Sequence, residues 1–173
     1  MKKDLESIRQ TLSNTPGILH QMLNNITNEE LSWKQSDERW TISEILAHLI
    51  DVEERVLGLR AMRIVLEDVP LLVSYDQVEA YKSGLYSGKA GFEMLKKFES
   101  ARGKSFEFLN KIQVSDLDRL GRHPEVGEIK LSQILNLWVF HDFGHIRQIA
   151  EIIRAVSFWN GIGNLQIYYK VNP

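Results

Sequence analysis

Two histidines four positions apart interrupt the apolar stretch WVFHDFGHIRQIAEI, residues 138–152. On a helix advancing about 100° per residue, Leu131, Ile134, Trp138, His141, His145, Ile149, Ile152 and Val156 fall on one narrow stripe. His141 and His145 therefore face the core, one turn apart, at a spacing that lets two imidazoles grip one ion. A third histidine lies on another helix, where Ile45, Leu49, Val52, Val56 and Leu59 form the apolar stripe. His48 sits at the edge of that stripe, on a polar border with Glu44, Asp51 and Arg55. Two readings compete. Each histidine could be a core side chain satisfied by its own hydrogen bond. Alternatively, one divalent ion could satisfy several imidazoles together, with zinc or nickel suited to that donor set. Three histidines leave coordination positions open, the pattern of catalytic rather than structural zinc.

The elements that must position these residues are helices. Residues 4–13 read as a short amphipathic helix, and Thr15 with Pro16 marks a restart into a helix over about 15–27, since proline is tolerated at a first helical position. Residues 28–40 read as a polar loop. Residues 41–67 form the second long helix: Thr41 and Glu44 make a capping box, Trp40 can staple onto Ile45, and Pro70 ends it. The segment 70–87 reads as irregular. A third helix covers roughly 88–112, with Phe92, Leu95, Phe98, Phe106 and Leu109, and Gly103 weakens its middle. The connector 113–130 carries Gly121, Pro124 and Gly127 and reads as loop. The fourth helix spans about 131–157, and the glycine-rich tail does not extend it. Four substantial helices with weak strand signals predict an all-α four-helix bundle in a single domain, residues 1–173.

Composition narrows the chemistry. With 173 residues and 43% hydrophobic content, the chain can bury one real core and little more. The net charge of −2 and scattered basic residues give no nucleic-acid surface. No cysteine is present, which excludes disulfides, thiolate metal sites and a protein thiol nucleophile. No apolar run is long enough to span a bilayer, so no membrane partner is expected. The start MKKDLESIRQTL lacks the apolar segment of a signal peptide, so a cytoplasmic address is expected.

Three stretches resemble the DinB-like superfamily and its YfiT-type members, which are regarded as metal-dependent hydrolases. They are WTISEILAHLIDVEERV around His48, GRHPEVGEIKLSQIL before the last long helix, and HDFGHIRQI. The resemblance runs from about Pro16 to Val156. The family pattern is one histidine on the second bundle helix and an H-x-x-x-H-x-x-Q pair on the fourth, here His48, His141, His145 and Gln148. The resemblance implies that the three histidines are metal ligands and that the bundle has up-down-down-up connectivity. It also implies thiol-dependent chemistry, in which the superfamily attaches low-molecular-weight thiols such as bacillithiol to electrophiles or uses mycothiol for isomerisation.

A metal on three neutral imidazoles keeps its full charge and lowers the pKa of a bound water or thiol. A thiol cofactor would then serve as nucleophile in a chain with no cysteine, and hydrolysis of a small ester or amide is equally open. No H-E-x-x-H occurs, so the metalloprotease base is missing. Glu44, Asp51 and Asp142 are the base candidates. Each also has a structural role to fill: Glu44 in the capping box, Asp51 paired with Arg55 at i,i+4, Asp142 beside the core stripe. A carboxylate holding the outer imidazole N–H is the usual supporting arrangement. The expected function is a metal-dependent enzyme acting on a small-molecule substrate. The alternative is a non-catalytic bundle that binds a metal, a ligand or a partner. His20 and His123 read as ordinary, His123 as a solvated or locally hydrogen-bonded loop residue. Trp138 reads as core. Tyr75, Tyr81 and Tyr86 could line a pocket mouth, with packed or solvated loop aromatics as the plainer reading. Val139, Phe140 and Phe143 point away from the histidine side of their helix. Either the N-terminal helix or tail covers them, or a second copy does, as in a homodimer.

Overall fold

The computed structural model describes residues 4–169. Its long helices are α1 (Leu5–Leu23), α3 (Ile42–Val52) continuing through a π-helical turn into α4 (Gly58–Leu66), α6 (Gly91–Leu109) and α7 (Leu131–Ile153). Between them lie short helices α2 (Asn28–Leu31) and α5 (Gln77–Lys82). Side-chain contacts give the direction of each long helix. Arg9 on α1 reaches the Leu109 carbonyl at the end of α6, while Arg102, earlier on α6, reaches Leu12 further along α1, so these two run antiparallel. Gly91 opens α6 beside Ser43, and Arg102 meets Glu53, so α6 and α3 run parallel. His48 meets His141 while Glu53 meets Trp138, so α7 opposes α3. The result is the expected four-helix bundle, with up-down-down-up connectivity.

Local sequence explains the helix starts. Asp4 accepts from the Ser7 amide to cap α1. Thr41 and Glu44 satisfy each other's backbone amides to start α3, and a second capping box, Thr27 with Glu30, opens α2 inside the segment expected to be loop.

Pro16 departs from expectation. It lies inside one continuous α1 and begins no new helix. Proline has no N–H to give the carbonyl four residues back, which leaves that of Leu12 without its helical partner. Arg102 Nη1 donates to the Leu12 carbonyl at 2.8 Å. A tertiary contact thus meets a need that would otherwise have broken the helix.

Arg102 also anchors a polar layer across the bundle. It donates to Glu53 through Nε and Nη2, both at 2.9 Å, and to Asp142 through Nη1 at 2.7 Å and Nη2 at 3.0 Å. Trp138 Nε1 donates to Glu53 and Thr15 Oγ1 to Asp142, so all four bundle helices contribute. Arg102 lies over the rings of Phe98 and Trp138. One apolar cluster lies below this layer, around Leu12, Val56, Ile134 and Trp138, and another above it, around Leu19, Ile45, Phe98 and Ile149. Trp138 is core, as expected. The π-helical turn that presents Glu53, Glu53–Leu57, brings the Glu53 carbonyl so close to Gly58 that an added Cβ would lie 2.2 Å from it.

The connector before α7 is not all loop. It holds a short 3₁₀ turn, Val114–Asp118, and an antiparallel hairpin of β1 (Leu120–His123) and β2 (Gly127–Lys130). The hairpin is tied to the chain beside it, where the Leu72 amide donates to the Arg122 carbonyl and the Arg122 amide to the Pro70 carbonyl, both at 2.8 Å. Gly121 lies against Ile64 and Leu72, where a Cβ would come within 3.0 Å of both side chains. Gly127 takes the positive φ of 79° at the turn. Strands of this length are marginal alone and leave little periodic signal. After α7 a π-helical turn, Arg154–Phe158, and a 3₁₀ segment, Asn160–Tyr168, run on, bent at Gly163. Among the described residues neither the N-terminal helix nor the tail covers Phe140 and Phe143, which are 76% and 53% exposed, whereas Val139 packs on the core.

Candidate metal centre

α3 and α7 bring His48, His141 and His145 together, and their ligand atoms all lie within 4.8 Å of one another. His48 Nε2 is 3.1 Å from His141 Nε2, and His145 Nε2 is 3.2 Å from the same atom. His141 Nε2 thus sits between two other ring nitrogens. A neutral imidazole nitrogen carries either one proton or one in-plane lone pair. His141 Nε2 can therefore complete one of these contacts as a hydrogen bond and not both. A cation accepting a lone pair from each ring resolves all three at once, so this donor set fits a divalent ion.

The rings are held in the form a metal needs. Burial, and then the neighbouring imidazoles, lower the His48 pKa to about 2. Burial, then His145, lowers His141 to about 4. Burial also lowers His145, against an opposing hydrogen bond from Gln148. All three are neutral at pH 7 with lone pairs available.

The outer nitrogens are positioned as well. His145 Nδ1 pairs with Gln148 Oε1 at 2.9 Å, which leaves Nε2 facing inward. His48 Nδ1 faces the Tyr86 hydroxyl at 3.4 Å. The Tyr86 hydroxyl donates to Asp51 Oδ2 at 2.9 Å, the Tyr75 hydroxyl reaches the same oxygen at 2.7 Å, and the two hydroxyls touch each other. Burial first, then Asp51 against Tyr75, pushes the Tyr86 hydroxyl up to about 12, so it keeps its proton. Arg55 holds the other Asp51 oxygen. Trp40 packs edge-on to His48 with centroids 5.0 Å apart, stacks on Tyr81 at 5.1 Å, and lies near-parallel to His145 at 6.4 Å. Lys34 donates to the Tyr81 hydroxyl.

The three base candidates are all engaged. Glu44 caps α3 through Oε2 and pairs with Lys34 through Oε1. Asp51 serves Arg55 and the two tyrosines. Asp142 is 2% exposed and turned into the Arg102 layer. His20 is exposed on α1. His123 is not solvated: it ends β1, buried beside Arg60 at 3.2 Å, and its Nδ1 makes a local hydrogen bond by accepting from the Glu125 amide. Tyr75 and Tyr86, expected to line a pocket mouth or to pack as loop aromatics, instead support the centre through Asp51 and His48, and Trp40, expected only as a staple onto Ile45, also packs on His48. The nearest signal was their aromatic character inside otherwise polar segments flanking α3 and α5.

The protein named "Putative metal-dependent hydrolase OB0782" from Oceanobacillus iheyensis is 22% identical over 144 residues, 83% of this chain and 82% of its own. "Putative metal-dependent hydrolase YfiT" from Bacillus subtilis is 25% identical over 152 residues, 86% of this chain and 84% of its own. A solved structure of YfiT is described as "a probable metal-dependent hydrolase with an unusual four-helix bundle topology". It superposes with a TM-score of 0.77 at 23% identity, over 90% of this chain and 89% of that one, and so shares the fold. The family model of the DinB superfamily matches residues 11–149, a span that includes all three clustered histidines, and the chain belongs to that superfamily.

Proposed function

We propose that His48, His141 and His145 hold one divalent ion, zinc or nickel, and that the centre activates a thiol or a water for transfer to, or hydrolysis of, a small molecule. The observation that carries this reading is His141 Nε2, placed 3.1 and 3.2 Å from two other ring nitrogens when it can bond to only one of them. When bound, such an ion supplies a Lewis acid that brings a coordinated thiol or water towards ionisation near neutral pH. The neutral imidazoles leave its charge undiminished. Gln148 keeps the His145 proton on the outer nitrogen, and Trp40 shields one side of the centre from solvent.

The thiol reading gains support from the carboxylates. Glu44, Asp51 and Asp142 are each committed to other partners, and a thiol, with a free pKa of about 8.5, needs far less help to ionise than water. A low-molecular-weight thiol such as bacillithiol would also supply the sulfur that a chain without cysteine lacks. The relatives named as metal-dependent hydrolases favour hydrolysis. Protein loaded with zinc or nickel should be assayed in parallel with a thiol plus an electrophile and with small ester and amide substrates. Metal-dependent turnover in one arm, lost in His145→Ala, is expected. An ion bound with no turnover in either arm would leave a non-catalytic metal-binding bundle.

A further inference from the structure

The hydrogen-bonded tyrosines beside His48 have a direction. If His48 Nε2 gives its lone pair to an ion, the ring's one proton lies on Nδ1. The partner facing Nδ1 is the Tyr86 hydroxyl oxygen, at 3.4 Å. That oxygen can accept because its own proton goes to Asp51 Oδ2, at 2.9 Å. Asp51 is in turn kept an acceptor by Arg55 on its other oxygen and by the Tyr75 hydroxyl. The chain therefore runs from His48 N–H to Tyr86 O–H to the Asp51 carboxylate. Without the carboxylate, Tyr86 could turn its proton towards Nδ1. That would favour the opposite tautomer of His48, protonated on Nε2 and unable to ligate.

We propose that Tyr86, oriented by Asp51, is a positioning residue that fixes His48 as an Nε2 donor, an inference that rests on the metal reading above. Three features support it. Tyr86 and His48 are 2% and 0% exposed, so neither can turn to water for a partner. Both tyrosines come from outside the bundle helices, from the segment between α4 and α6, yet their hydroxyls converge on one carboxylate oxygen of α3. Finally, the arrangement is the familiar carboxylate support of a metal-binding histidine, with a phenol between the two groups.

The test is zinc affinity by competition with a chromophoric chelator, on the full chain, together with nitrogen NMR of the His48 ring in metal-free protein. Tyr86→Phe keeps the ring and removes the acceptor. Loss of such a supporting partner weakens metal binding by roughly 10- to 100-fold. Tyr86→Phe should show that loss and a mixed His48 tautomer, whereas Tyr75→Phe, which removes a donor to Asp51 and a neighbour of the Tyr86 hydroxyl but leaves the Tyr86–Asp51 bond in place, should stay close to wild type on both readouts. Asp51→Asn should behave like Tyr86→Phe and replaces it should that variant fail to fold. Wild-type protein that binds zinc no more tightly than Tyr86→Phe would overturn this inference and leave the metal reading intact. Wild-type protein that does not bind zinc at all would overturn the metal reading, and this inference with it.

Discussion

Replacing Arg102 by methionine should be among the most damaging single changes in this chain. The guanidinium is 2% exposed and makes five hydrogen bonds: two to Glu53, two to Asp142 and one to the Leu12 carbonyl. Removing one partner of a buried ion pair costs about 3–5 kcal/mol because the other charge is stranded. The Leu12 carbonyl, which Pro16 cannot serve, adds about 1–3 kcal/mol as an unsatisfied buried group. The sum is roughly 4–8 kcal/mol, against a total stability of about 5–15 kcal/mol for a typical domain. The loss should also depend on pH. Burial already raises the Glu53 carboxyl, with Arg102 opposing, and without the cation it rises further. A group whose folded pKa is raised contributes stability that is complete below its unfolded pKa, near 4, and lost as pH rises through the folded value. The Arg102→Met deficit, read from urea unfolding in chelator, should therefore be largest at pH 7 and shrink towards pH 4. Pro16→Ala restores an N–H for Leu12, so it should stabilise the Arg102→Met background more than the wild type. A deficit under about 1 kcal/mol at pH 7, or one that is the same at both pH values, would refute this account of the polar layer.

Zinc at about 100 times its Kd should stabilise the intact protein by about 2.7 kcal/mol, a melting shift of roughly 5–10 °C that chelator removes and His145→Ala never shows. Metal-free protein should lose stability in acid. The folded pKa values of His48 and His141, about 2 and about 4, lie below the ordinary value of 6.5, so their contribution is complete above that value and lost as pH falls below it. A urea midpoint that stays flat from pH 7 to pH 5 in chelator would contradict those environments. Phe140 and Phe143, exposed on the outer face of α7, predict a homodimer. Sedimentation at micromolar concentration should then give twice the 20.0 kDa chain mass, falling to one copy in a Phe140→Glu, Phe143→Glu double variant, whereas a clean monomer in the wild type would refute the pairing.

The helical period made the histidines legible. His141 and His145 are one turn apart on a long stripe, and His48 lies on a helix with a capping box at its start, so their faces follow from spacing alone. Arg102 is legible in the same way. It lies on the stripe of Leu95, Phe98 and Leu109, and a charge at a core position implies buried partners of opposite sign. Pro16 misled for the converse reason. Proline normally ends a helix, and the partner that rescues Leu12 comes from 90 residues away. The contacts of Trp40, Tyr75 and Tyr86 with the histidine centre could not be read from sequence, because their segments have no period. Their positions depend on how the chain between α4 and α6 closes onto Asp51 and Trp40, which only the folded molecule specifies. The hairpin was hidden because its two strands owe their order to packing on Ile64 and Leu72 and to backbone bonds with Pro70 and Leu72, and have little pattern of their own.

Metal content of protein made without a histidine tag tests the central claim most directly. The protein should be loaded with zinc or nickel, dialysed and measured by elemental analysis against protein concentration. One ion per chain is expected in the intact protein, with none retained by His48→Ala, His141→Ala or His145→Ala variants that remain folded. An intact protein that keeps no ion, or variants that keep it as well as the intact chain does, would contradict a centre built on these three imidazoles.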